Sequence, residues 1–515
     1  MAGLFFAAII PIIWLVIALM VIKMQGYAAC ISALALGGIL AAVVWKFPLL
    51  SIAAACGEGA LNGLWPICLI IVAAMYTYYL TIETGAMEKI KQMLASVSND
   101  KRILILLIAW GLGGFLEGMA GFGTSVAIPA GMLTAIGLDP VVCIVACLIA
   151  NAAPTPFASV GIPATTLANV AELNAVTVSG TITTQYLLLS LVTPFFMVAL
   201  TGRGIKALKG MWIPTIVSAI AFTVPAWIVS VFLGPELPDI IGGLCCMVAV
   251  IAVSKKRKKP IPPEYQVLSD DAFTKTEKET VMRDVVMAWM PYILICICLL
   301  LTSNAVAPVH DAVSSVRSIL QFSYGERTSS LAFYWIQAAG VIVFAAGTAG
   351  GILQGGRWHE IRRAFKSSVT SMFKTILTIC SVLALAKIMS FSGMTSDIAN
   401  MFVVAAGAYY PFFAPLIGAV GAFVTGSGTS ASVLFGGLQM QTAKMLAISE
   451  KWLVAANMTG SCIGKMVCPQ SISIGVGTVG MNGKESVILK KVIPYFILYI
   501  AAISLISYFG MRLFG

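Results

Sequence analysis

A long apolar run from Ile103 to Leu116 ends on a single acid, Glu117, set among glycines at 113, 114, 118, 121 and 123. An uninterrupted helix disfavours that much glycine, which loses more backbone entropy on ordering than any other residue. A membrane span disfavours the acid unless it has work or a partner there. The stretch predicts a helix broken near the bilayer midplane, with exposed backbone and one protonatable group. It continues through Thr124-Ser125 and a second apolar run to Ala150-Asn151-Ala152-Ala153-Pro154, and on to Pro163.

Runs of this kind recur along all 515 residues, of which 59% are hydrophobic and 10% charged. A soluble core needs no such excess. The chain reads as an all-α polytopic membrane protein, with room for about a dozen spans of roughly 20 residues. Strands are not expected, because the apolar segments lack period-two alternation. The net charge of +11 fits cytoplasmic loops rich in Lys and Arg. No basic and aromatic module for nucleic acid is visible. The twelve cysteines are scattered through apolar runs, without metal spacing. Residues 1–20 lack a basic n-region and a small-residue cleavage site, and read as the first span.

Spans are expected at 3–22, 27–45 and 62–84, the last led by the patch Cys56-Gly57-Glu58-Gly59-Ala60. The basic segment 88–102 is cytoplasmic, so the next span runs outward to Glu117. Residues 183–201 return to Arg203, Lys206 and Lys209. Residues 211–233 cross out to the acidic Gly234–Asp239 loop, and 240–254 return to the basic run 255–259. The polar segment 255–285 reads as a cytoplasmic linker, with lipid headgroups as a secondary partner. Further spans fall at 286–301, 333–349, 369–389 and 488–511. They are separated by a polar outer loop at 302–330 and another near Ser396-Asp397. His310 and His359 fall in loops and read as surface residues.

A second Gly-rich break, Gly421 to Ser430, answers the first. Asn457 lies 12 residues before Pro469, as Asn151 lies 12 before Pro163, and one offset of 306 links both pairs. The basic flanks give the two stretches opposite senses. The sequence thus predicts an inverted repeat of 62–203 (repeat A) against 368–515 (repeat B). Residues 1–61 would be N-terminal spans and 204–367 connecting spans. Paired broken segments in inverted halves are the best sequence pointer to a secondary transporter's site.

A small carboxylate needs donors and positive potential, and half-helix N-termini supply both. Thr124-Ser125 and Thr429-Ser430 each follow a glycine break and are placed to cap a second half-helix. The alternative is helix packing by small residues. Asn151 and Asn457 carry a donor and an acceptor each, for substrate or for unwound backbone. Lys465 follows a Gly-rich run that falls one residue short of a phosphate loop. It is placed to neutralise a substrate carboxylate, to pair with Glu117 or to snorkel to the surface. Glu117 is the candidate proton carrier, with a fixed ion pair as the alternative. Gly475-Val-Gly477-Thr-Val-Gly480 matches a dinucleotide fingerprint without the strands that would make it one.

Several of these motifs together resemble the L-lactate permease family. They are Leu116-Glu117-Gly118-Met-Ala-Gly121-Phe122-Gly123, Ala150-Asn151-Ala-Ala-Pro154 and Gly161-Ile162-Pro163 in the first half. Gly234-Pro-Glu-Leu-Pro-Asp239-Ile-Ile241 follows, then Thr425-Gly426-Ser427 and Gly464-Lys465-Met-Val-Cys-Pro469-Gln470-Ser471. The resemblance implies proton-coupled uptake of L-lactate, glycolate and related 2-hydroxymonocarboxylates across a bacterial inner membrane. It also implies kinship with carriers built from inverted repeats with re-entrant hairpins. One departure is plain: Gly428 and Ser432 stand where the family pattern has Asp and Asn, which leaves the coupling ion open between proton and sodium. The expected substrate-binding set is Gly121, Gly123, Thr124, Ser125 and Asn151 with Thr425, Gly426, Ser427, Thr429, Ser430, Asn457, Ser461, Lys465 and Gln470. Glu117 is the coupling residue, and no cofactor or metal is expected. A sodium-coupled organic-anion carrier is the second reading, a channel the third. A membrane enzyme is disfavoured by the lack of a nucleophile–base set.

Overall fold

A computed structural model of the chain describes residues 2–22, 24–121, 123–202, 204–257, 260–267, 282–302, 306–324, 327–481 and 484–514. Phe122, Arg203, Lys258, Lys259 and residues 268–281 of the expected linker lie outside the described residues. Among those described, nine helices are long and apolar enough to cross a membrane. The count rises to eleven if each sharply bent pair is one span.

Helix α1 (Ala2–Val16) continues as a π-turn over Ile17–Val21, and α2 (Gly26–Val43) follows. Then α3 (Leu49–Asn62) and α4 (Leu69–Glu83) form one long element with a non-helical residue, Trp65, between them. The small-residue patch at 56–60 is therefore helix and not a lead-in. Its lack of bulk lets α3 lie against a long helix described below. A short amphipathic helix, α5 (Ala86–Ala95), connects to the first functional unit.

In that unit α6 (Lys101–Met119) stops at residues 120–123, and α7 (Thr124–Ala135) packs back along it. Gly121 and Gly123 turn the chain with φ of +62° and +84°, a region that L side chains avoid. The two helices thus form a hairpin in place of one unbroken helix. Next, α8 (Pro140–Ala150) starts on an Asp139 cap with Pro at its first position. It breaks at 151–157 and resumes as α9 (Ala158–Val170), a bend of 67°. Ser159, Val160 and Gly161 take left-handed φ of 47°, 59° and 80°. For a β-branched valine that conformation costs about 1–3 kcal/mol, which the surrounding packing sustains. Helix α10 (Ala175–Leu200) closes the unit.

The connecting region holds α11 (Trp212–Phe232), α12 (Pro238–Lys256), α13 (Met282–Thr302) and α14 (Ala307–Ser314). An antiparallel hairpin, β1 (Arg317–Tyr324) with β2 (Arg327–Tyr334), follows. So the outer loop expected at 302–330 carries a helix and the one pair of strands among the described residues. The expectation of no strands rested on the apolar segments and does not extend to this polar one. Helices α15 (Ala339–Leu353) and α16 (Trp358–Ser392) follow; α16 is the helix that α3 packs on.

The second unit repeats the order of the first. After α17 (Met394–Ala406), α18 (Tyr410–Thr425) turns at Gly426, φ +71°, into α19 (Gly428–Leu446). Then α20 (Glu450–Val467) breaks at Cys468 into α21 (Pro469–Thr478), and α22 (Glu485–Phe514) closes it. Ser396 and Asp397, expected in a loop, lie inside α17, where the Trp45 indole donates to Asp397 Oδ2 at 2.9 Å.

Two charged regions depart from the expected exposed loops. Arg102 is buried and donates to Asp100 at 2.9 and 2.8 Å and to the Ala207 carbonyl at 3.1 Å. Arg257 adds a bond to Asp100 at 2.6 Å. This clasp ties the basic ends of α6 and α12 together. At the other end of α12, Asp239 is 2% exposed: the expected outer acidic loop is folded inward.

Candidate functional site

The two hairpin turns and the two helix breaks converge on one cavity of about 320 Å3. Hairpin two supplies Thr425, Gly426, Ser427, Gly428, Thr429 and Ser430; hairpin one supplies Gly123. The first break supplies Thr155, Ser159 and Pro163, and the second Lys465, Gln470 and Ser471. Helix α16 closes a side with Lys374 and Thr378, and the start of α2 adds Gln25. A Cβ on Gly123 would come within 2.7 Å of Ile474, and one on Gly428 within 3.3 Å of Thr155. The breaks therefore touch across the halves.

The cavity wall suits an anion. Lys374 and Lys465 line it, and no Asp or Glu does among the described residues. The N-terminal ends of α2, α7, α19 and α21 also face it through Gly26, Gly123, Ser427 and Gln470. Unpaired backbone N–H groups and the partial positive charge of a helix start favour carboxylates there. The Lys374 ammonium donates to Gln25 Oε1 at 2.9 Å, which holds it at the rim.

Behind the cavity lies a buried polar cluster. Glu117 is fully buried near the end of α6, and the Lys465 ammonium is ion-paired with its Oε1. Ser125 Oγ lies 2.5 Å from Glu117 Oε2 and 2.8 Å from Asn151 Oδ1. Ser125 has one proton and two neighbours that accept. The line of bonds is satisfied when Glu117 carries a proton and donates to Ser125, which donates to Asn151. It is also satisfied with Glu117 ionised if the Asn151 amide is turned to donate. Lys465 thus belongs to both places, touching the acid and lining the cavity.

The expected residues divide accordingly. Gly123, Thr425, Gly426, Ser427, Thr429, Ser430, Lys465 and Gln470 line the cavity. Glu117, Ser125 and Asn151 form the cluster behind it. Gly121 abuts Ser159, and Thr124 donates to the Gly121 carbonyl at 2.8 Å, inside the turn. Asn457 lies off the cavity, its amide 3.5 Å from the Ala431 carbonyl; Ser461 donates to the Gly418 carbonyl at 3.0 Å. Both hold backbone together. The helix caps also differ from expectation. Ser427, not Thr429 or Ser430, caps α19, accepting from the Ser430 N–H at 3.2 Å; α7 starts on Gly123 with no side-chain cap.

Sequence reasoning passed over Thr155, Ser159, Lys374 and Asp239. Lys374 carried a usable signal, a cation inside an expected span. Asp239 ends a motif that carries the family resemblance, but Gly-Pro-Glu-Leu-Pro-Asp reads locally as a surface turn.

The sequence profile of the L-lactate permease family matches residues 4–514. The chain belongs to the L-lactate permease family. An L-lactate permease of Streptococcus iniae is 40% identical over 88% of this chain and 94% of its own. An L-lactate permease of Bacillus subtilis is 31% identical over 99% and 96%. The glycolate permease GlcA of Escherichia coli is 31% identical over 97% and 94%. The YdaH transporter of Alcanivorax borkumensis aligns with a TM-score of 0.48 at 13% identity, covering 88% of this chain and 87% of that one. That likeness is too loose to carry fold or function further. As a member of this permease family the protein is a transporter, and its many apolar helices make it a multi-pass bacterial membrane protein.

Proposed function

We propose that this permease carries L-lactate, glycolate and related 2-hydroxymonocarboxylates by proton symport. The relatives named above supply the substrate class. The observation that carries the coupling is the double position of Lys465, on the cavity wall and on Glu117.

Glu117 and the substrate carboxylate compete for one ammonium. With Glu117 ionised, Lys465 is held on it and the cavity loses its strongest donor. With Glu117 protonated, Lys465 is free to meet the anion. Binding of proton and anion then favour each other, which is the linkage a symporter needs. The substrate carboxylate lies against the start of α19, with Thr429 and Ser430 beside it. Gln470 and Thr425 are within reach of the 2-hydroxyl. Repeats A and B (62–203 and 368–515) rock or slide to alternate access.

Reconstituted vesicles with labelled L-lactate test this, with proton and sodium gradients imposed separately. An inward proton gradient concentrates lactate and an equal sodium gradient does not. Accumulation driven by sodium alone would overturn the coupling, and saturable uptake of neither lactate nor glycolate would overturn the substrate.

A further inference from the structure

Asp239 opens a question that the substrate cavity does not answer. It sits in the first turn of α12, 2% exposed, packed on Gly118 beside Glu117; a Cβ on Gly118 would lie 2.6 Å from that of Asp239. Both Glu117 and Lys465 act on it electrostatically. Two carboxylates and one ammonium in a water-excluded cluster carry a net negative charge if all are ionised. That state is costly, which suits the cluster to exchanging a proton.

The Asp239 carboxyl has a second face. Among the described residues its Oδ2 has no hydrogen-bond partner, and neither has the hydroxyl of Tyr186, 3% exposed. Both residues line one small cavity of about 30 Å3 between α10, α11 and α12. Thr183, Ser190 and Thr223 line it too, the Thr183 hydroxyl bonded to Ser230 at 2.6 Å and those of Ser190 and Thr223 to each other at 2.8 Å. None of its lining residues lines the substrate cavity. The volume suits a water, which needs at least two polar partners; Asp239 Oδ2 and the Tyr186 hydroxyl are the two this wall leaves open in an otherwise mostly apolar lining.

We propose that Asp239 and Tyr186 hold a water and that Asp239 passes the coupling proton between it and the Glu117–Lys465 pair. The proton thereby travels by a path separate from the substrate's. In the step, the O–H bond at Asp239 Oδ2 breaks as one forms on the water oxygen, that water gives one of its own protons to a further water on the way to solvent, and Asp239 takes the proton held on Glu117; reversed, solvent water delivers a proton through the bound water to Asp239 and so to Glu117. Nothing is oxidised or reduced. The ionisable groups facing Asp239 are Glu117 from α6, Lys465 and Cys462 from α20 and Tyr186 from α10. Glu117 and Lys465 are the partners in the exchange. Asp239 is a relay and does not touch the anion.

This inference rests on the proton-symport reading, and the test separates the two. Vesicles holding the wild-type, Asp239→Asn or Tyr186→Phe protein are assayed for lactate accumulation driven by a proton gradient and for lactate–lactate exchange. In Asp239→Asn, accumulation falls by about a hundredfold while exchange, which moves no net proton, stays within about twofold of wild type. In Tyr186→Phe, accumulation slows about fivefold, the equivalent of one lost hydrogen bond, with exchange and KM unchanged. Absent proton-driven accumulation in the wild type would overturn symport itself. Accumulation that persists in Asp239→Asn, or equal loss of exchange and accumulation there, would overturn the relay. Should Asp239→Asn fail to insert, unchanged accumulation in Tyr186→Phe would overturn it alone. Loss of a sodium-stimulated component in either variant would make the site a cation site and overturn it as well.

Discussion

At the scale of single residues, Lys465 is the economical part of this design. A buried ammonium is tolerable only with a partner. Glu117 is that partner in the structure, and the proposed substrate anion in the cavity would be a second one. Removing the lysine strands an acid with one hydroxyl contact. Lys465→Met should therefore lower stability by about 3 kcal/mol or more. The double variant Glu117→Gln/Lys465→Met should recover most of that loss and none of the lactate binding. Thermal unfolding in detergent with and without lactate reads both quantities; a single lysine variant as stable as wild type would remove the pair from the account. Gly428 is informative in another way. It lines the cavity 3.3 Å from Thr155 by its would-be Cβ, so the carboxylate of the family pattern is missing from the wall of the proposed anion site.

At the scale of elements, the hairpin turns and helix breaks do the positioning. Gly123 holds φ +84° with Ile474 closing on it from α21, so its backbone joins hairpin one to the second break. Gly123→Ala should cost about 2 kcal/mol from the left-handed backbone alone, with a matching loss of transport. Gly57→Ala, with ordinary backbone and no atom within 4 Å of the new carbon, should leave stability unchanged or raised by up to about 1 kcal/mol. Melting and uptake of both variants check the contrast; equal behaviour would mean that the turn is not under constraint. These elements were also the legible ones. Clustered glycine beside Glu117, and again around Gly426, has few readings in an apolar chain. What stayed hidden depends on long-range contact. Nothing local in Gly234–Asp239 tells that the turn folds inward onto Gly118. Nothing local in Arg102 tells that the Ala207 carbonyl and the Tyr265 ring cover it. The polar β-hairpin carries no membrane signal. Asn457 and Ser461 have site-like neighbours in sequence, yet α20 turns them toward backbone carbonyls.

At the scale of the whole molecule, the contacts between halves come in reciprocal pairs. Helix α10 packs on α20, and its counterpart α22 packs on α8; α9 packs on α19, and α21 on α7. Thr193 and Tyr499, 306 residues apart, hydrogen-bond to each other at 2.8 Å. That separation is the same offset that relates Asn151 to Asn457. Residues related by a two-fold meet each other only near its axis, so these contacts support the proposal of two inverted repeats closing on one chamber. In such a machine the proton-binding acid and the anion share one ammonium, so proton and anion are bound and released together. The direct measurement is uphill uptake of labelled lactate by vesicles holding Glu117→Gln, set beside lactate–lactate exchange in the same vesicles. The account predicts that accumulation driven by a proton gradient disappears while exchange persists; accumulation equal to wild type would contradict it.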